Sequence, residues 1–117
     1  MRKDRLEVLA KHLDGLPPET FNIGVWKCRS TACAVGHACT IPEFQADGLK
    51  LIEDSLNFMC PKYENFTAWD AVRCFFECSY GMATHLFYTN SYFNRRATGP
   101  KEVAERIREV IKEAKDD

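Results

Sequence analysis

Charge of one sign is what this sequence most lacks. Sixteen basic residues stand against seventeen acidic ones, a net of -1. Sequence-independent binding to phosphate backbones needs a basic face, and no basic block appears along the chain. No acidic run suggests a mimic of nucleic acid either. Long apolar runs are also missing: no stretch approaches the roughly 20 residues that cross a bilayer. The opening Met1-Arg-Lys-Asp-Arg-Leu-Glu7 has no apolar core of a secretory signal. The expectation is therefore a cytoplasmic protein with no membrane partner. In that compartment thiols stay reduced, so the six cysteines predict free thiols or a metal site instead of a disulfide framework. Paired Cys-x2-Cys knuckles, a P-loop, Gly-x-Gly-x-x-Gly, Gly-x-Ser-x-Gly and His-Glu-x-x-His are all absent, which removes the chemistries those motifs carry. There are no repeats and no low-complexity tracts.

What is present is an ordinary globular composition. Of 117 residues, 45% are hydrophobic and 12% aromatic, enough for one domain over residues 1–117 with a core that needs no metal staple. Residues 4–14 read as a helix, with Leu6, Leu9 and Leu13 at helical spacing and charged residues on the other face. Gly15 and Pro17-Pro18 stop it. Phe21, Ile23 and Trp26 are inward anchors of a short turn. Ser30 or Thr31 is positioned to cap a second helix over about 31–39, ended by Pro42. That helix is built of small residues, and Gly36 inside it implies close packing against another element. Gly48–Ile52 and Asn57–Cys60 flank a polar stretch and suggest a hairpin. Thr67-Ala-Trp-Asp70 has the form of a capping box, opening a helix with Trp69, Val72, Phe75 and Phe76. Ser79 caps the next, bearing Met82, Ala83, Leu86 and Phe87. After an aromatic, polar loop over 88–98, Gly99-Pro100 starts a last helix with Val103, Ile107, Val110, Ile111 and Ala114 as its apolar stripe. The predicted fold is mainly α, a single compact domain of about five helices with a small β-hairpin. Trp26 and Trp69 are expected to be largely buried.

Cys28, Cys33, His37 and Cys39 fall within twelve residues. In a helix starting near Thr31, Cys33 and His37 share one face, a usable spacing for two ligands of one zinc ion. Cys28 would be the third ligand. A fourth would come from Cys60, Cys74, Cys78, His12 or His85. A thiol in a first helical turn also feels the helix dipole, which favours its thiolate, and His37 stands one turn on as a base. Against both, free cysteines commonly sit in cores as small hydrophobes. Cys74 and Cys78 beside Phe75-Phe76 read in the same way. Phe87, Tyr88, Tyr92 and Phe93 near Arg95-Arg96 resemble a base-stacking platform, but two arginines make a weak footprint, and a loop pinned to the core by its aromatics is preferred.

Several of these pieces together resemble a family of uncharacterised small bacterial and phage proteins. The motif is Trp26-x-Cys28-x-x-Thr31-x-Cys33-Ala-x-Gly36-x-Ala38, followed by Gly48-Leu-x-Leu51, Pro61-x-Tyr63, Ala71 before Phe75-Phe76, Leu86-Phe87 and Val103-Ala-x-Arg-Ile107. Arg29 departs from it, since a small residue usually follows the first cysteine. The resemblance implies the helical outline and carries no catalytic set. The functional expectation is a non-enzymatic interaction or regulatory module, an accessory protein of phage-like or mobile DNA. Its partner would be a protein, not nucleic acid, and it would need no cofactor. The alternatives are a zinc protein using Cys28, Cys33 and His37, and a thiol enzyme.

Overall fold

Leu6, Leu9, Ala10 and Leu13 are three or four residues apart, so a helix puts them on one side, and all four are buried. That helix, α1, spans Lys3–Asp14. The computed structural model describes residues 1–28, 31–53 and 58–114. The Gly15 N–H returns to the His12 carbonyl and closes α1. The helix lies chiefly against the last one, α6, Pro100–Glu113. There Val103, Ala104, Ile107 and Val110 supply the facing stripe, and the Glu102 carboxylate accepts the Gly99 N–H at 3.2 Å to fix the helix start.

One charge breaks the amphipathic pattern of α1. Arg5 was expected on the solvent face but is 8% exposed. Its Nη1 donates to the Phe75 carbonyl at 2.7 Å, and its guanidinium lies over the Phe75 ring at 4.1 Å. A planar, weakly hydrated cation can be buried this way, stacked and hydrogen-bonded.

The segment from Phe21 to Ala38 departs from the helix expected over 31–39. Lys27–Cys28 (β1) and Thr31–Ala32 (β2) form an antiparallel pair. The Cys33 N–H donates to the Val25 carbonyl at 2.8 Å, and the Asn22 N–H to the Ala32 carbonyl at 3.0 Å. These extended-chain bonds engage the backbone through residue 33, so the helix, α2, is just Ala34–Ala38. Its cap is neither expected candidate. Ser30 lies outside the described residues and Thr31 is in a strand, while Cys33 Sγ accepts the Gly36 N–H at 3.5 Å. Gly36 does pack closely: a Cβ there would stand 1.7 Å from the Trp26 carbonyl oxygen.

Pro42 does not end α2, which closes at Ala38 with Cys39 as its cap; it begins another helix, α3, Pro42–Ala46, where its fixed φ and missing N–H suit the first position. Phe44 of α3 is buried edge-on against Phe75. Gly48 turns with φ +105. The expected hairpin follows as Lys50–Glu53 (β3) and Met59–Tyr63 (β4), with Leu51 opposite Pro61, and a third strand, Phe66–Thr67 (β5), pairs with β4. Asp54, Ser55 and Asn57 of the expected hairpin lie outside the described residues. Thr67 belongs to β5 and its side chain makes no cap bond, so the expected capping box is not formed. Helix α4, Ala68–Phe76, buries Ala71, Val72, Phe75 and Phe76, and ends in a left-handed residue, Glu77. Ser79 caps α5, Tyr80–Phe87, by accepting the Met82 N–H, as expected.

In the loop that follows, Tyr92 is buried and donates to the Leu86 carbonyl at 2.6 Å. Arg106 of α6 covers its ring at 3.7 Å and donates to the Ser91 carbonyl. Among the described residues the fold is thus mainly α: six α-helices on one hydrophobic core, with a small three-stranded antiparallel sheet and the short β1–β2 pair beside it. No helix among the described residues is long and apolar enough to cross a membrane.

Candidate binding cavity

The two tryptophans are where burial and expectation part. Each packs on the core with part of its ring, and neither is fully covered. The two rings also meet each other edge to face, 5.0 Å between centroids. Trp69 also stands edge-on to Tyr88 at 6.1 Å and to Tyr80 at 6.3 Å. Helical spacing says that a side chain points inward. It does not say whether the space there is filled.

Here it is partly unfilled. Trp26, Trp69 and Tyr88 wall a cavity of about 370 Å³, with Val25, Phe58 and Met59 among the other apolar residues. Its walls come from separate parts of the chain. The Trp26 wall is held by the β1–β2 pair and by the contact of its carbonyl with Gly36. Trp69 is set by the first turn of α4, directly after Ala68 at φ 54. Tyr88 follows the end of α5, and Met59 opens β4. Phe58 is 66% exposed and Tyr88 43%.

The polar residues of the lining are few. Among the described lining residues Lys27 and Thr89 are polar and none is acidic. Thr89 has a buried hydroxyl with no hydrogen-bond partner among the described residues. The Arg96 side chain passes over Gly24, another lining residue, its Nε 3.7 Å from where a Cβ on that glycine would stand. A mostly apolar, aromatic pocket of this volume with a few polar groups is the usual form of a small-ligand or side-chain binding site. No family model, curated protein or solved structure matches the chain, so the case for the site rests on its geometry.

The residues singled out as zinc ligands have other engagements. Cys33 is buried at the cap of α2, and burial pushes its thiol up to about 11 against the lowering effect of the Gly36 N–H. Burial outweighs the helix terminus, so the thiol is protonated at neutral pH. His37 Nε2–H donates to the Thr20 carbonyl at 2.8 Å. Its ring stacks on Phe21 and lies 6.4 Å from that of His12. Burial, and then the His37 charge, lower the pKa of His12. Cys28 lies in β1, and its side chain is outside what the structure describes. Cys39 is buried, and burial with the nearby Cys33 and Cys60 thiols pushes it up to about 12. Cys74 and Cys78 are half-buried and line a second depression with Asp70, Arg73 and Glu77. Among the described residues no three His, Cys, Asp or Glu side chains are grouped to hold a metal ion.

Of the aromatic loop, Phe87 and Tyr92 are core anchors, Tyr88 belongs to the cavity, and Phe93 is 100% exposed. Sequence reasoning missed Phe58 and Met59 as site residues, and it named Tyr88 only within an aromatic loop whose preferred reading was anchorage to the core. Each sits at the edge of a regular element, where periodicity carries no information. The usable signal was the presence of just two tryptophans, both next to turns.

Proposed function

We propose that this chain is a non-enzymatic interaction module whose working surface is the aromatic cavity and its rim. The observation that carries the reading is the pair of half-covered tryptophans. Trp26 and Trp69 leave apolar ring surface facing an unfilled space, where a domain folding only for stability would gain by closing it. The described lining residues contain no base and nucleophile pair. Among the described lining residues the one thiol, Cys33, is held protonated by burial, which favours binding over thiol chemistry. The resemblance carried by Trp26 to Ala38 adds the proposal that the chain is an accessory protein of phage-like or mobile DNA. The five free thiols among the described residues support a reducing, cytoplasmic setting.

The test is capture of partners from the native cell by three baits: the unaltered chain, Tyr88→Ala, and Arg108→Ala as a surface control in α6. Proteins kept by the first and third baits but lost by the second support the reading. A set of captured proteins indifferent to Tyr88 overturns it.

A further inference from the structure

Phe93 is 100% exposed, and its neighbours hold it so. On one side Tyr92 is buried, its hydroxyl donating to the Leu86 carbonyl at 2.6 Å and Arg106 covering its ring at 3.7 Å. On the other side Asn94 Nδ2 donates to the Glu102 carboxylate at 3.1 Å, the same carboxylate that fixes the start of α6. The Arg95 N–H closes the turn on the Tyr92 carbonyl at 3.1 Å, with Arg95 itself left-handed at φ 47. A residue with a side chain is strained in that region. The loop is therefore a braced turn that presents a phenyl ring outward. Single exposed apolar residues are common on surfaces. A ring held out rigidly is different, because the ordering that docking would cost is already made, and that is the form of an interface anchor.

A receptor that fits such a ring is present on the same chain. Trp69 stands edge-on to both Trp26 and Tyr88 in the cavity wall, so a further ring finds both faces and edges to pack on. A void of about 150 Å³ takes a benzene ring, so about 370 Å³ admits a phenyl ring with its stem. Phe93, fully exposed, does not fill its own chain's cavity, but it lies beside it. Its loop meets the lining on both sides, through Tyr88 and Thr89 before it and through Arg96 over Gly24 after it. An anchor and a receptor side by side on one surface suit a two-fold contact, in which each meets the other's counterpart. We propose that a second copy of this chain occupies the cavity, each copy inserting Phe93 among Trp26, Trp69 and Tyr88 of the other. This rests on the cavity being the working site. Two inserted rings bury about 300–500 Å², and the exposed Phe58 and Tyr88 at the mouth add to it. That places the contact at the low end of specific interfaces, with a Kd on the order of 10–100 μM. The net charge of -1 leaves little overall repulsion between copies. Arg95 and Arg96 beside each anchor do approach the same face, so added salt should strengthen the dimer.

Sedimentation equilibrium of the full, tag-free chain under reducing conditions tests it. A 13.4 kDa monomer passing reversibly to a dimer as concentration rises is expected. Phe93→Ala should weaken the dimer about tenfold or more and leave Tm unchanged, because the ring is exposed in the single chain. Tyr88→Ala should weaken it to a similar extent from the receptor side. Mixing the two variants separates docking from indirect damage. Neither variant paired with itself has an intact anchor facing an intact receptor. In a mixed pair the Tyr88→Ala copy supplies Phe93 and the Phe93→Ala copy supplies the cavity. The mixture should therefore associate about tenfold more tightly than either variant alone. A chain that stays monomeric up to about 1 mM, a dimer indifferent to Phe93→Ala, or a mixture no tighter than its components would each overturn the proposal. So would a monomeric chain whose captured partners are lost with Phe93→Ala, since the anchor would then serve a different protein. If the chain is monomeric while Tyr88-dependent partner capture persists, the second copy is wrong and the module reading stands. If the dimer behaves as expected while capture ignores Tyr88, the reverse holds.

Discussion

Gly36→Ala is the most demanding test of how the cavity is built. In an ordinary helix interior this change is favourable by about 1 kcal/mol, because alanine has less chain entropy to lose. At Gly36 the new methyl would stand 1.7 Å from the Trp26 carbonyl oxygen and 2.8 Å from the Ala32 Cβ. Real carbon–oxygen contacts need more than 3 Å, so well over 1 Å of movement is required. The atom in the way is backbone. It belongs to the segment held by the Cys33-to-Val25 hydrogen bond and the β1–β2 pair, and no side-chain rotation relieves it. Overpacking of a tight core costs about 1–3 kcal/mol and sometimes more. With a backbone obstacle the upper end applies, and the net loss after the helical gain is ~2 kcal/mol or more. For a chain of this size that is a fall in Tm on the order of 8 °C. Thermal and urea unfolding followed by circular dichroism would measure it. Gly81→Ala is the internal control: in α5 its nearest neighbour would be Ser79 Oγ at 3.9 Å, and it should be neutral or stabilising by about 0.5 kcal/mol. A Gly36→Ala protein as stable as the unaltered chain would refute the close approach and, with it, the placement of the Trp26 wall.

Arg5→Met keeps apolar volume but removes the donor to the Phe75 carbonyl. It should cost about 2 kcal/mol, read as a lower urea midpoint with an unchanged slope. Glu77→Gly should stabilise by about 0.5–1 kcal/mol, since φ 51 suits glycine and the exposed pair with Arg2 contributes less; a lower Tm would contradict this. Cys33 and Cys39 should resist iodoacetamide at pH 7.5 in the folded chain while Cys74 reacts, with Cys78, whose thiol burial also raises, slower than Cys74. Because the folded values of about 11 and about 12 lie above the ordinary 9.0, the stability these buried thiols contribute is intact below pH 9. It is lost as pH rises through 11 to 12, so the urea midpoint should fall across that window. Tag-free protein from zinc-supplemented cultures should hold substoichiometric zinc, because His37 Nε2–H is committed to Thr20 and Cys33 Sγ to the α2 cap. A stoichiometric ion would restore the Cys28, Cys33 and His37 site.

Helices whose apolar stripe repeats over three turns were legible. The α6 stripe and the Leu6-Leu9-Leu13 face of α1 depend on local periodicity alone, and the structure uses both. The segment at 31–39 was not legible, because its conformation is decided by partners far from it in pattern terms. Residues 31–33 bond to Asn22 and Val25, and a single sequence carries no mark of that pairing. Arg5 shows the same limit in reverse. Its charge argued for solvent, while the aromatic face and carbonyl that bury it lie seventy residues away. The cavity was the least legible feature. Trp26 and Trp69 read correctly as core-facing, but a void is a property of what surrounding residues fail to fill.

The residues from Trp26 to Ala38 acquire a different sense once these contacts are known. The glycine is required by the Trp26 carbonyl, so it fixes where the indole stands. Cys33 terminates the β1–β2 segment with its N–H and starts α2 with its sulfur. Serine or threonine could cap as well, but a buried thiol also fills apolar space in a position that lines the cavity. Small residues at Ala34 and Ala38 let the short helix sit deep in the core. Tryptophan, cysteine, glycine and alanine in this order therefore form one wall-building unit. Each small residue allows the next backbone approach, and the sum holds one large ring at the edge of an open space. A metal-ligand set would instead need His37 and Cys33 to turn their donor atoms toward a common point. In this fold one faces Thr20 and the other its own helix.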